Sequence, residues 1–199
     1  RGGVAYCCAY NFSGELGDGS TTQRQTPVAA AGGLTFASLT AGSSHTCGLT
    51  SSGTAYCWGG NSLGALGRGD TLAAATPVLA AGGRTFASLV AGLYHTCGVT
   101  SGGAAYCWGN NGNGQLGEGS TTQRLTPVAV TGGLTFASLA PGWYHTCGLV
   151  RTLQPLPWEG KEPPQYPTVS PAEFDPPEKD VMRRVERALR AAGPEGFLP

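Results

Sequence analysis

The sequence predicts an all-β protein of tandem four-stranded blades, a β-propeller arrangement, followed by a proline-rich tail with one short helix. Three observations carry that expectation. A 50-residue repeat runs without a gap from residue 1 to residue 150, glycine-rich turn clusters separate short apolar runs, and the repeats show no apolar spacing of the helical kind.

The repeat can be followed residue by residue. Gly3-Val-Ala-Tyr-Cys-Cys8 returns as Gly53-Thr-Ala-Tyr-Cys-Trp58 and Gly103-Ala-Ala-Tyr-Cys-Trp108, and His45-Thr-Cys-Gly48 returns as His95-Thr-Cys-Gly98 and His145-Thr-Cys-Gly148. The copies are 1–52, 53–102 and 103–150. Four strands fit each one, at about 26–30, 34–40, 44–50 and 54–58 in the first numbering frame, with turns at Gly32-Gly33 and Ser51-Ser52-Gly53. A period near 50 with four short antiparallel strands fits a propeller blade. Helical solenoids need amphipathic helices, and a parallel β-helix needs a shorter period.

One hairpin is specified in detail. With Ser51-Ser52-Gly53 as a three-residue loop and its glycine left-handed, Cys47 lies opposite Cys57, His45 opposite Gly59 and Leu49 opposite Ala55. On the other face Tyr56 is expected over Gly48 and Trp58 over Thr46, the aromatic shielding a cross-strand glycine. The next hairpin repeats this with Cys97 opposite Cys107.

Directly opposed residues of an antiparallel pair come within disulfide reach, so Cys47–Cys57 and Cys97–Cys107 bridges are expected. The alternative is a set of buried free thiols in a cytosolic chain. A zinc site is disfavoured, since only His45 accompanies the cysteine pair. Cys147 expects a partner at position 157, where Pro157 stands, and Cys7 expects one before residue 1. Cys7 and Cys147 thus read as the two halves of a split hairpin and as candidates for a further bridge. The unclosed ends are candidates for homo-oligomer contacts. Cys8 replaces the tryptophan of the other copies.

The pattern stops at Arg151. The last 49 residues hold ten of the 14 prolines, so 151–174 reads as an extended linker. Within 175–199, Asp175-Pro176-Pro177-Glu178 resembles a helix start. Val181, Val185, Ala188, Leu189 and Ala192 make one apolar face, and Gly193-Pro194 makes a stop. The chain starts on Arg1 without a signal peptide, which reads as a mature product or a piece of a longer one.

Composition excludes several function classes. Net charge is zero and residues 1–150 hold five arginines and no lysine, which leaves little for phosphate neutralisation, so no nucleic-acid partner is expected. No apolar run approaches membrane-spanning length.

The segments Trp108-Gly-Asn-Asn-Gly-Asn-Gly-Gln-Leu-Gly-Glu-Gly119 and Ala91-Gly-Leu-Tyr-His-Thr-Cys-Gly-Val-Thr100 resemble the repeat signature of the regulator-of-chromosome-condensation family, and the resemblance covers residues 1–150. It implies blades around a central channel, normally seven of them, so three copies imply an incomplete ring. Family members include a nucleotide exchange factor for a small nuclear GTPase, a bacterial inhibitor that caps β-lactamases, and many secreted bacterial proteins. The paired cysteines are most similar to the secreted bacterial group, which implies an extracellular or periplasmic location, with the cytoplasm as the alternative.

No catalytic residue, metal site or cofactor is expected. His45, His95 and His145 recur at one blade position and read as structural, hydrogen-bonded to nearby backbone, rather than as ligands. With four acidic residues in the first 150 there is no carboxylate pair, and the loop Gly109-Asn110-Asn111-Gly112-Asn113-Gly114 lacks the aspartates of a calcium turn. Positions alike in all copies, such as Gly17, Gly67 and Gly117 or Phe36, Phe86 and Phe136, read as architectural. The copies differ at Ser43-Ser44, Leu93-Tyr94 and Trp143-Tyr144, and in the long loop at Phe12, Arg24, Arg68 and Arg124. Aromatics beside arginines suit protein recognition, so Leu93, Tyr94, Trp143, Tyr144, Phe12, Arg24, Arg68 and Arg124 are the candidate binding residues. The leading expectation is a non-catalytic protein-binding scaffold. The alternatives are guanine-nucleotide exchange on a small GTPase, by family analogy, and inhibition of an extracellular or periplasmic enzyme.

Overall fold

A computed structural model describes residues 2–151, and the expected linker and helix of 152–199 lie outside the described residues. The described chain forms β1 (Tyr6–Ala9), β2 (Arg24–Ala29), β3 (Ser38–Ala41), β4 (His45–Leu49), β5 (Ala55–Gly59), β6 (Ala74–Leu79), β7 (Ser88–Ala91), β8 (His95–Val99), β9 (Ala105–Gly109), β10 (Arg124–Ala129), β11 (Phe136–Pro141) and β12 (Thr146–Val150). Every pairing is antiparallel. β3-β4-β5-β6 and β7-β8-β9-β10 are complete four-stranded sheets, and β1-β2 and β11-β12 are two-stranded ones. The fold is all-β, as the repeat implies.

The sheets run out of phase with the sequence copies. A complete blade takes its last two strands from the copy that follows, so it spans 38–79 or 88–129 rather than one copy. The expected strand at 34–40 is shorter and begins at Ser38. Gly32 and Gly33 both hold positive φ, and the chain uses 34–37 to swing from the outer strand back to the inner one.

The central hairpin has the register its turn dictates. His45 pairs with Gly59, Thr46 with Trp58, Cys47 with Cys57, Gly48 with Tyr56 and Leu49 with Ala55, and Gly53 closes the turn at φ 83°. Cys47–Cys57 and Cys97–Cys107 are disulfide-bonded, with Cα atoms 4.0 and 4.1 Å apart. Cys7, Cys8 and Cys147 are free in the single chain. One detail differs from expectation. The ring that fills the space beside Gly48 is Phe36, not Tyr56. A Cβ on Gly48 would overlap it, and Tyr56 stands edge-on to Phe36 at 6.4 Å. Phe86 against Gly98 and Phe136 against Gly148 repeat the arrangement.

The core lies between blades rather than inside them. Trp108, from the second complete sheet, is fully buried in one cluster with Leu49 and Leu66 of the first. Trp58 packs with Ala5, Ala30 and Phe36 of the half-sheet before it. Each indole donates its Nε1 proton to a loop carbonyl of the preceding blade, Glu15 or Ala65, at 2.8 Å. The indole lies over Gly17 or Gly67, where a Cβ would stand 2.7 or 2.6 Å from Nε1. An indole buried with its N–H paired contributes on the order of 3 kcal/mol or more, so this contact fastens blade to blade.

Candidate functional site

Three tight turns bring two of the candidate residues, Leu93 and Trp143, to one place. The turns before β4, β8 and β12 each carry a glycine, and these stack across the blades. A Cβ on Gly42 would lie 2.5 Å from the Gly92 carbonyl oxygen, and one on Gly92 would lie 2.7 Å from that of Gly142. Only glycine permits backbones this close. The residues that follow are therefore presented side by side, and Ser43, Leu93 and Trp143 line one open depression of about 410 Å³ with Ala41, Ala91 and Pro141.

The long loops reach the same end of the blades. The amide of Gly60 donates to the Ser44 carbonyl at 2.6 Å, and that of Asn110 to the Tyr94 carbonyl at 2.9 Å. The two variable stretches thus adjoin within each complete blade. Trp143 is 69% exposed and Tyr144 53%, far above what a core aromatic shows, while Tyr94 is marginally exposed and Leu93 half-buried. Phe12 is exposed too, stacked edge-on against Tyr10 at 4.9 Å. Phe12 does not line the depression.

The arginines have local partners. Arg24 donates to Asp18 at 3.1 Å, Arg68 to Asp70 at 2.8 Å and Arg124 to Glu118 at 2.9 Å, each partner lying two or six residues away in sequence. Burial opposes the charge on Asp18, but hydrogen bonds from Ser20 and then Arg24 outweigh it and hold the carboxyl below its ordinary value. Glu118 is likewise lowered, first by Ser120 and then by Arg124. These pairs brace the loops and leave the face close to neutral.

The residue that organises each loop was missed by sequence reasoning. Asn11, Asn61 and Asn111 are buried. Each side-chain oxygen accepts the amide of Leu16, Leu66 or Leu116, and each side-chain nitrogen donates to carbonyls nine and eleven residues on. Their recurrence at the 50-residue shift was the available signal. The glycine-rich loop at 109–114, compared above with a calcium turn, is held by this asparagine. Among the described residues no group of three potential metal ligands occurs.

The histidines join blades. His45 Nε2 meets Thr96 Oγ1 at 2.9 Å, and His95 Nε2 meets Thr146 Oγ1 at the same distance. Thr96 gives its hydroxyl proton to the Ala65 carbonyl at 2.8 Å, so it accepts from His45, which fixes the Nε2–H tautomer. The partner is a threonine of the next blade rather than nearby backbone. Burial, followed by the charge of the next histidine, depresses both rings to about 4. They are neutral struts at physiological pH.

Two profiles described as the regulator of chromosome condensation (RCC1) repeat match the chain, one at residues 36–65 and 86–115, the other at 52–99 and 102–149. Together they cover more than half of it. Among curated protein sequences no relative matches. Solved structures do. Prp20p from Saccharomyces cerevisiae superposes with a TM-score of 0.59 at 19% identity, over 75% of this chain and 40% of that one. The yeast RCC1 protein (Prp20) bound to Kap60 gives 0.57 at 20%, over 75% and 38%. Human WBSCR16 gives 0.53 at 19%, over 76% and 54%. The chain therefore spans about two fifths to just over half the length of these structures, and the likeness is one of fold.

Proposed function

We propose a protein-binding role for this chain, which belongs to the regulator of chromosome condensation (RCC1) repeat family, with the stacked turns before β4, β8 and β12 as the contact face. One observation carries the reading: Trp143 is a large exposed aromatic set beside Leu93 in an open depression on a rigid, glycine-stacked frame. Tryptophan and tyrosine dominate binding hot spots because they bury much area at little conformational cost. Prp20p, whose structure is described with its binding to Gsp1p and histones, supports a protein partner in general. At 19% identity that likeness supports the fold and not the exchange of nucleotide on a GTPase. The two intrablade disulfides support an oxidising, extracellular or periplasmic setting for the interaction.

The test is affinity capture with purified full-length chain as bait, comparing wild type with Trp143→Ala/Tyr144→Ala. A partner held by wild type and lost from a variant of unchanged melting temperature is the expected result. Equal capture by both baits, or a large fall in the variant's stability, overturns the assignment of the face.

A further inference from the structure

We propose that the seam between the two complete blades is a proton-operated latch: when His45 takes up a proton, the sheets part and the turns at Gly42 and Gly92 separate. The seam joins β3-β4-β5-β6 to β7-β8-β9-β10. A chain of polar bonds crosses it. His45 of β4 donates from Nε2 to Thr96 Oγ1 of β8 at 2.9 Å, and Thr96 donates in turn to the carbonyl of Ala65, between β5 and β6, at 2.8 Å. The Trp108 indole of β9 donates to the same carbonyl at 2.8 Å. Near the turns, the Ala91 amide donates to Thr40 Oγ1 at 3.1 Å.

The second ring nitrogen is where acid acts. Thr96 already accepts from Nε2, so an added proton goes to Nδ1, which is buried and has no hydrogen-bond partner. A Cβ on Gly42 would lie 2.7 Å from this Nδ1 and 2.5 Å from the Gly92 carbonyl oxygen. Nδ1 thus abuts the turn at the point where that turn touches the next blade. An imidazolium there buries a charged donor without an acceptor, and solvating it displaces the Gly42 turn from Gly92. His95 repeats the arrangement, with Nδ1 unpartnered, Nε2 on Thr146, and the Gly92 turn lying between its ring and the Gly142 carbonyl.

No neighbouring group relieves that charge. The titratable side chains around His45 are His95 of β8, Tyr94 in the turn beside Gly92, and Cys7, Cys8, Tyr10 and Glu15, which line a cavity of about 450 Å³ with the ring. Glu15 accepts the Ser13 amide through Oε2 at 2.9 Å, and none of the six bonds to Nδ1. Burial, followed by the charge of His95, accordingly holds the ring at about 4 in the closed seam. In the open seam a hydrated ring titrates near 6.5, so opening gains as pH falls from 6.5 to 4 and gains no more below. The stacked turns frame the depression lined by Leu93 and Trp143. Acid therefore dismantles the contact face, a consequence that rests on those turns being that face.

The experiment uses the full chain and reads amide exchange by NMR as protection factors at pH 7 and pH 5. Protection of Ala91, whose bond crosses the seam, is expected to fall about twentyfold between these values. Gly48 and Gly98, in strands paired within their own sheets, are expected to keep theirs. His45→Gln retains an N–H donor for Thr96 and does not titrate, so Ala91 is expected to be equally protected at both pH values. In wild type the His45 ring resonances are expected to titrate over the range in which Ala91 loses protection, a readout that stands even where His45→Gln fails to fold. Ala91 protection that stays flat in wild type, falls equally in His45→Gln, or falls no further than that of Gly48 and Gly98 would each overturn the proposal. Trp143→Ala/Tyr144→Ala is expected to leave the response unchanged. Ala91 is read without any partner, so a failure of the contact face and a failure of the latch are told apart.

Discussion

Leu49 and Leu149 occupy the same place in the repeat, one inside a complete blade and the other on a half-blade, and they have opposite surroundings. Leu49 is enclosed by β5 and the cluster around Trp108, while Leu149 is largely bare. The histidines follow the same contrast, since His45 and His95 are buried against a threonine of the next blade and His145 is exposed. Identical local sequence thus gives different environments, because burial in a repeat array is supplied by neighbours. The burial in the complete blades and the exposure on the half-blades are one property seen from two sides.

The contrast can be broken most strongly at the tryptophans. Trp108→Ala removes the indole between the two complete blades and is expected to cost about 3–5 kcal/mol in urea unfolding. Trp143→Ala, on the open turn, is expected to stay within about 0.5 kcal/mol. Comparable losses for the two would erase the distinction between fastening residue and surface residue.

Acid weakens the same seams. His45 and His95 have folded values near 4 against an ordinary 6.5, so the unfolded chain binds more protons between these pH values. Their contribution is complete above pH 6.5, declines as pH falls from 6.5 to 4, and is exhausted below about 4. The loss attributable to His45 is on the order of 3 kcal/mol. Denaturation curves at several pH values between 7 and 4 check this, and a flat profile across that window would count against buried neutral rings.

The bridges come next. Replacing Cys97 and Cys107 by alanine opens a ten-residue separation and is expected to cost about 2–3 kcal/mol without disturbing the register of β8 and β9. Smallest is a glycine comparison. Gly67 faces the Trp108 indole and Gly117 meets only Val130, at 3.3 Å, though both hold positive φ. Gly67→Ala should therefore destabilise by about 1–2 kcal/mol more than Gly117→Ala.

The sequence revealed the parts of the fold that local geometry decides. The Ser51-Ser52-Gly53 turn and the alternation of side chains together leave one register for β4 and β5, so the Cys47–Cys57 pairing was legible from the turn and the strand period alone. Blade phase could not be read that way. A 50-residue repeat is the same wherever counting starts, and only the sheet shows that β6 completes the blade begun by β3. Phe36 filling the space beside Gly48, and histidines bonded to threonines 51 residues away, are contacts between elements that no short pattern encodes. At the proposed contact face, the variable stretch at 93–94 and 143–144 was visible as a difference between copies. The arginines looked equally eligible, because their acidic partners lie two or six residues away and become partners only once the loop folds around its asparagine.

Hydrogen exchange at matched amides of the three copies tests most directly whether protection in this array is supplied by neighbouring strands. Even-numbered residues of β4 direct their N–H groups at β5, as the Thr50 amide on the Thr54 carbonyl and the Gly60 amide on the Ser44 carbonyl show, so Gly48 is protected by β5. By the same alternation Gly148 directs its amide at the edge of β12 that has no neighbour among the described strands. Gly48 and Gly98 are predicted to exchange at least about a hundredfold more slowly than Gly148. Exchange at Gly48 or Gly98 as fast as at Gly148 would contradict the account.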